Sequence, residues 1–319
     1  MIGWFADIRS IPLRYDMRKI ILLTSIIVFT LLSGCLGNSA AAAGPGNATD
    51  APTNPATGQP TPTESPAASA TSNSRTATPE ASSTAKDIDE AWKSLPTLPT
   101  VSDEMKAIYQ LGLENGNDPH AFSILGDCQS LPDEFLGVYD SDPAWVAALP
   151  DYLHETVLNF SGSFDRYSPT VKDGTTSGAL LWAEWNDNKE GKCQYGETPL
   201  ECELRVQRPS IVLIHIGTHW ETRNYRYLSI IIEQIIEHGA VPVLATKADN
   251  RELDERVNQD MAALAKEFGL PIWNFWATVQ HLPEDGLYPE STWELSEEAK
   301  EIHRRSALEA LDAVWRAVK

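Results

Sequence analysis

The sequence predicts an α/β domain built on a parallel sheet, and three features of its second half carry that expectation. Short apolar runs alternate with stretches of helical period. The runs are nearly continuous instead of alternating apolar with polar, as in strands covered on both faces. Glycines stand where the helices should stop. Pro209 precedes the run from Ser210 to Ile216, which ends at Gly217. Asn224 to His238 then places Leu228, Ile232 and Ile235 on one helical stripe and stops at Gly239. Ala240 to Ala245 reads as the next strand. Leu253, Val257, Met261, Leu264 and Phe268 mark a second amphipathic helix ended by Gly269, before a short strand over 270–275. Ser296-Glu297-Glu298 opens a last helix carrying Leu308, Leu311, Trp315 and Val318. Strand, helix, strand, helix, strand, helix implies parallel pairing through crossovers. The first half is more irregular, with Leu153 to Phe160 its clearest helix.

Ahead of these elements stands Ser123-Ile124-Leu125-Gly126-Asp127-Cys128-Gln129-Ser130, where an apolar run breaks into a small polar turn bearing a nucleophile. Ala121 to Leu125 reads as a strand, and Gly126 permits a bend that presents the next side chains at its carboxyl end. Open α/β sheets keep their sites at that end.

The first quarter of the chain supplies no core. Ile20 to Leu32 is an apolar run behind Arg18 and Lys19, too short for a membrane span of roughly 20 residues and suited to the h-region of a signal peptide. Met17-Arg18-Lys19 is a compact n-region, so the true start falls at Met17 on this reading. Leu32-Ser33-Gly34-Cys35 resembles a bacterial lipobox, which implies cleavage before Cys35, lipid on Cys35 and a protein held at the outer face of the cell membrane. The expected domains are a signal segment 1–35, a tether 36–86 rich in Ala, Pro, Ser and Thr, and a folded domain 87–319. Such a tether spans on the order of 40 Å. Export permits disulfides, and Cys193 and Cys202 in a polar loop are the expected pair, leaving Cys128 free; bridges from Cys128 remain open as alternatives.

The formal net charge is −20, and the signal segment carries more basic than acidic residues. No basic cluster beyond the Arg304-Arg305 pair follows it, which excludes nucleic acid as a partner class. The acidity reads as a solvated surface on an exported monomer.

Gly126-Asp127-Cys128 after the first strand and Gly217-Thr218 after the next long one resemble the blocks of the SGNH/GDSL hydrolase family over roughly 120–319. The resemblance implies a flavodoxin-like three-layer α/β/α sandwich and hydrolysis of acyl esters of carbohydrates or lipids. Each catalytic block is altered. Cys128 holds the position of the nucleophilic serine. Gly217-Thr218-His219-Trp220 puts His219 where an asparagine helps the oxyanion hole and Trp220 where an aspartate follows it. The last block, in the register Glu294-Leu295-Ser296, puts Glu294 at the basic histidine and Ser291 at its aspartate; the rival register at Asp285 to Pro289 puts Tyr288 there. Gly178 is the candidate for the second-block glycine. The loop around Cys193 and Cys202 resembles an insertion in exported bacterial members.

Two functional readings follow. A thiol-dependent esterase would use Cys128, His219, Glu294 and Gly178, with Asp127, Gln129, Thr218, Trp220 and Trp276 contacting substrate. A binding module would use the same cleft for a glycan or other ligand, its tryptophans packing against sugar faces. A metal set of Cys128, His219, Asp127 and Glu294 lacks the close ligand spacing that marks metal sites, so no metal and no cofactor is expected. His215 reads as core, His303 beside Arg304 as part of a solvated face, and Lys247, Asp249 and Asn250 as loop residues able to line the cleft.

Overall fold

The structure, a computed structural model, describes residues 90–319. The signal segment, the lipobox with Cys35 and the tether lie outside the described residues. Four strands, β1 (Asp118–Gly126), β2 (Pro209–His215), β3 (Val241–Ala245) and β4 (Ile272–Trp273), form an all-parallel sheet in the order β1-β2-β3-β4. The helices are α1 (Asp103–Glu114), α2 (Val138–Ser141), α3 (Pro143–Ala147), α4 (Asp151–Asn159), α5 (Pro199–Gln207), α6 (Asn224–Glu237), α7 (Arg256–Phe268), α8 (Phe275–Val279) and α9 (Glu297–Val318).

Every residue of β2 and β3 is buried, so both faces of the sheet are covered. One group of helices, α6 and α7, packs together and onto β3; a second, α1 and α9, packs together, with α4 and α8 also against α9. Local chemistry sets the helix ends. Thr198 and Glu201 form a capping box on α5, which begins with Pro199. Ser296 caps α9 by accepting from the Ala299 N–H. Gly239 and Gly269, at positive φ, end α6 and α7. Among the described residues no helix is long and apolar enough to cross a membrane.

A fifth strand is reduced to a stub. Val171 makes a single parallel bridge to Gly126, with the Gly126 N–H donating to Thr170 O at 3.0 Å. The stub lies beside β1 on the edge away from β2, which makes β1 the point where the chain's strand order reverses. Ligand crevices of open α/β sheets form at such a switch point.

A buried ionic cluster ties β1 to the helix that precedes β2. Glu203 on α5, 2 % exposed, accepts from Ser123 on β1 at 2.5 Å and from Ser168 at 2.8 Å, and pairs with Arg166. The Cys193–Cys202 bridge is present and fixes the start of the same helix, and Cys128 is free and buried.

Candidate active site

The turn after β1 is shaped by two close approaches. A Cβ on Gly126 would sit 2.2 Å from Ser130 Cβ, so only glycine lets the 3-10 turn Cys128–Ser130 fold back on the strand. Ser130 Oγ donates to His215 O at 3.0 Å and stands 3.0 Å from His215 Nδ1, which therefore carries the ring hydrogen. After β2, Gly217 has φ +148° and a Cβ there would meet Val257 Cγ1 at 2.5 Å.

Asp127 joins the two turns. Its Oδ2 accepts from the Gly217 and Thr218 N–H groups, each at 2.9 Å, and its Oδ1 accepts from the Gln129 N–H at 3.3 Å. Asp127 is 1 % exposed and Thr218 2 % exposed, so both serve the frame of the site and neither faces a ligand. One carboxylate thus engages three amides around the turn that carries Cys128.

Cys128 Sγ lies 4.0 Å from Asp127 Oδ1. Burial above all, then the neighbouring carboxylates of Asp127 and Asp173, push its thiol up to about 12, so it is neutral at physiological pH. His219, on the loop after β2, and Asp173, two residues beyond the stub, complete a cluster with it. The ligating atoms of Cys128, Asp173 and His219 all lie within 4.8 Å of one another, with His219 Nε2 to Asp173 Oδ1 at 3.8 Å. The three stand at the carboxyl ends of three neighbouring strands.

They open into a cleft of about 490 Å³ whose walls also include Gln129, Trp293, Glu294, Arg251, Lys300 and His303. This is within the usual range of small-molecule sites. Gln129 Nε2 donates to Trp293 O at 2.5 Å, tying the first turn to the segment before α9. Arg251 donates to Thr218 O at 3.0 Å from the far wall.

The structure brings Cys128, His219, Glu294 and Gln129 to this cleft. It does not bring Gly178, whose N–H donates to Glu221 at 2.6 Å. Trp276 packs edge-on against Trp92, with ring centroids 5.0 Å apart. Trp220 lies beneath the Arg256 guanidinium at 5.0 Å, away from the cleft wall. Lys247 and Asp249 are buried in an ionic cluster with Glu252, both Lys247 contacts being 2.7 Å, and Arg251 takes the wall position instead. His303 is corrected outright. It is fully buried and stacked on Phe135 at 4.2 Å, because its place on α9 is four residues from both Ala299 and Ala307, on the helix face turned to the core.

Asp173, Trp293, Arg251, Glu134 and Lys300 are cleft residues that reading the sequence did not single out. The signal for Asp173 is weak: Thr170-Val171-Lys172 has too short an apolar pattern to read as a strand, so the strand end that presents it is invisible.

No sequence-family profile and no curated protein matches the chain. Among solved structures, the chain is similar to a GDSL-like lipase from Bacteroides thetaiotaomicron, 15 % identical over 66 % of this chain and 99 % of that one, with a TM-score of 0.39. It is similar also to the psychrotrophic esterase EstA from Pseudoalteromonas, 13 % identical over 62 % and 99 %, with a TM-score of 0.43. A third is a catalytic mutant of an acetylxylan esterase from Geobacillus stearothermophilus, 15 % identical over 61 % and 95 %, with a TM-score of 0.41.

Proposed function

We propose that this domain is a thiol-centred acyl-ester hydrolase of SGNH/GDSL lineage, held outside the cell membrane by lipidated Cys35. Its substrate class is an esterified cell-surface glycan or lipid, and it acts as a monomer without a cofactor. The observation that supports the reading is the convergence of Cys128, His219 and Asp173 at adjoining strand ends. In the first step His219 takes the thiol proton as Cys128 Sγ attacks the ester carbonyl, and the proton passes to the departing alkoxide, leaving a thioester. Water, deprotonated by the same imidazole, then releases the acid and restores the thiol. Asp173, 3.8 Å from His219, favours the imidazolium that forms in each step. Glu294 stays a wall residue in this scheme, since His219 already supplies the base.

The turnover expected is low. The amides of Gly217, Thr218 and Gln129 are engaged by Asp127. A missing oxyanion donor costs about 10²–10³ in rate. The same fact, with the neutral thiol, favours a second reading in which the cleft binds an acylated glycan without cleaving it, Trp293 offering a flat wall.

The test is hydrolysis of aryl acetate and acetylated sugars by the full chain, with a chelator present, beside Cys128→Ala and His219→Ala. Turnover lost in both variants, with an acyl adduct on Cys128 in the mass spectrum, is the expected result. Equal turnover in Cys128→Ala refutes the thiol mechanism. No turnover in any form, with Cys128 shielded from alkylation by an acetylated sugar, selects the binding reading.

A further inference from the structure

The Cys128, Asp173 and His219 cluster has a second chemistry. It combines a thiol, an imidazole and a carboxylate, the three ligand types that zinc takes, on separate strand ends around one point. Tetrahedral zinc with bonds of about 2.0–2.3 Å needs ligand atoms about 3.3–3.8 Å apart. His219 Nε2 and Asp173 Oδ1 are already at 3.8 Å. The third atom is within 4.8 Å of both and closes the remaining gap by about 1 Å, a side-chain rotation for the half-exposed His219 and the exposed Asp173.

We infer that Cys128, Asp173 and His219 bind a thiophilic divalent cation of the zinc class, with the fourth position open to the cleft. Asp127 takes no part, because its carboxylate is committed to three backbone amides; it adds negative charge beside the sulfur instead.

Metal binding expels the thiol proton to solvent and ties up the sulfur, so metal occupancy and thiol attack exclude each other at Cys128.

The inference does not rest on the hydrolase reading and is tested without turnover. The full chain carrying Cys35→Ser has Cys128 as its sole free thiol, the other pair being bridged. Cobalt(II) titrated into it should give a thiolate-to-metal charge-transfer band in the near ultraviolet, release one proton per ion and be displaced by zinc. Zinc should also protect Cys128 from iodoacetamide. The band should vanish in Cys128→Ala, and binding should weaken at least about tenfold in His219→Ala and in Asp173→Ala, since even outer-shell losses cost that much. Unchanged far-ultraviolet dichroism establishes that the variants are folded. No band in the parent, or equal affinity in all three variants, overturns the inference.

Discussion

Asp127→Asn separates the two effects that keep Cys128 neutral. The side chain is isosteric, and its remaining oxygen can still face Gly217 and Thr218, but the two bonds at 2.9 Å lose their charge assistance and the longer one to Gln129 is replaced by an amide that donates. Hydrogen bonds to charged groups contribute about 1.5–3 kcal/mol each and roughly half that when neutral, so a loss of about 2–4 kcal/mol in unfolding free energy is expected. A thiolate 4.0 Å from a carboxylate oxygen is opposed by about 4 kcal/mol at an effective dielectric of 20, an upper bound here because burial is the larger cause of the shift. With its pKa pushed from 9.0 to about 12, the wild-type thiol is ionised about a thousandfold less at pH 8 than an ordinary cysteine. Removing the charge should raise the rate of iodoacetamide alkylation about tenfold or more at pH 8, while leaving it below that of the unfolded chain because burial persists. The assay is alkylation rate against pH, beside urea unfolding on the same protein. A folded Asp127→Asn variant that alkylates at the wild-type rate would refute the claim that this carboxylate suppresses the thiolate.

Two further outcomes follow from buried groups. Burial pushes both His215 and His303 below the ordinary imidazole value of 6.5, so the unfolded chain takes up protons that the folded one refuses, and stability present above pH 6.5 is lost as pH falls below it. Each histidine contributes a slope of at most about 1.4 kcal/mol per pH unit, and His303→Leu should remove about half of the combined slope between pH 7.5 and 5; an unchanged slope in urea titrations would count against this pair as the source. Glu203→Gln should cost about 3–5 kcal/mol, read as a lowered urea midpoint, because it leaves the Arg166 guanidinium, 18 % exposed, without its counter-charge; a loss under about 1 kcal/mol would mean that Arg166 finds water.

The sheet was legible because its strands are written plainly. The runs at 121–125, 210–216 and 240–245 fall within or beside β1, β2 and β3, and the stripes of α6 and α9 fall on residues found buried, as do Val257, Met261 and Leu264 of α7; Leu253, expected on that stripe, lies ahead of the helix and is exposed, and Phe268 is only partly buried. What was hidden is what sequence spacing does not encode. The last strand shrinks to two residues, and the stub at Val171 is one bridge, so the edge that carries Asp173 has no pattern of its own. His303 was legible in principle: counting back by fours from Leu311 through Ala307 reaches it, but the neighbouring Arg304 and Arg305 outweigh that phase in a reading by composition. Wall and frame also look alike in sequence. Asp127 and Gln129 stand in one turn, yet Asp127 binds the frame through three backbone amides and Gln129 lines the cleft beside Cys128.

The cysteine at this strand end sits in a frame that works against its own anion. A hydroxyl stays neutral beside carboxylates at no cost, whereas a thiol is useful as an anion, and Asp127 and Asp173 oppose that anion from two sides. The frame that holds the turn closed is the same frame that suppresses the thiolate, since the carboxylate that staples Gly217 and Thr218 to β1 is the one 4.0 Å from the sulfur. Relief can come from a proton acceptor that takes the charge away during attack, or from a cation that pairs with it, and His219 and Asp173 stand where either can act. The arrangement thus ties the chemistry of Cys128 to whatever takes its proton or pairs with its anion in the cleft: under the proposed hydrolase reading the neutral His219 imidazole takes the proton, and under the proposed cation site a divalent ion holds the sulfur instead.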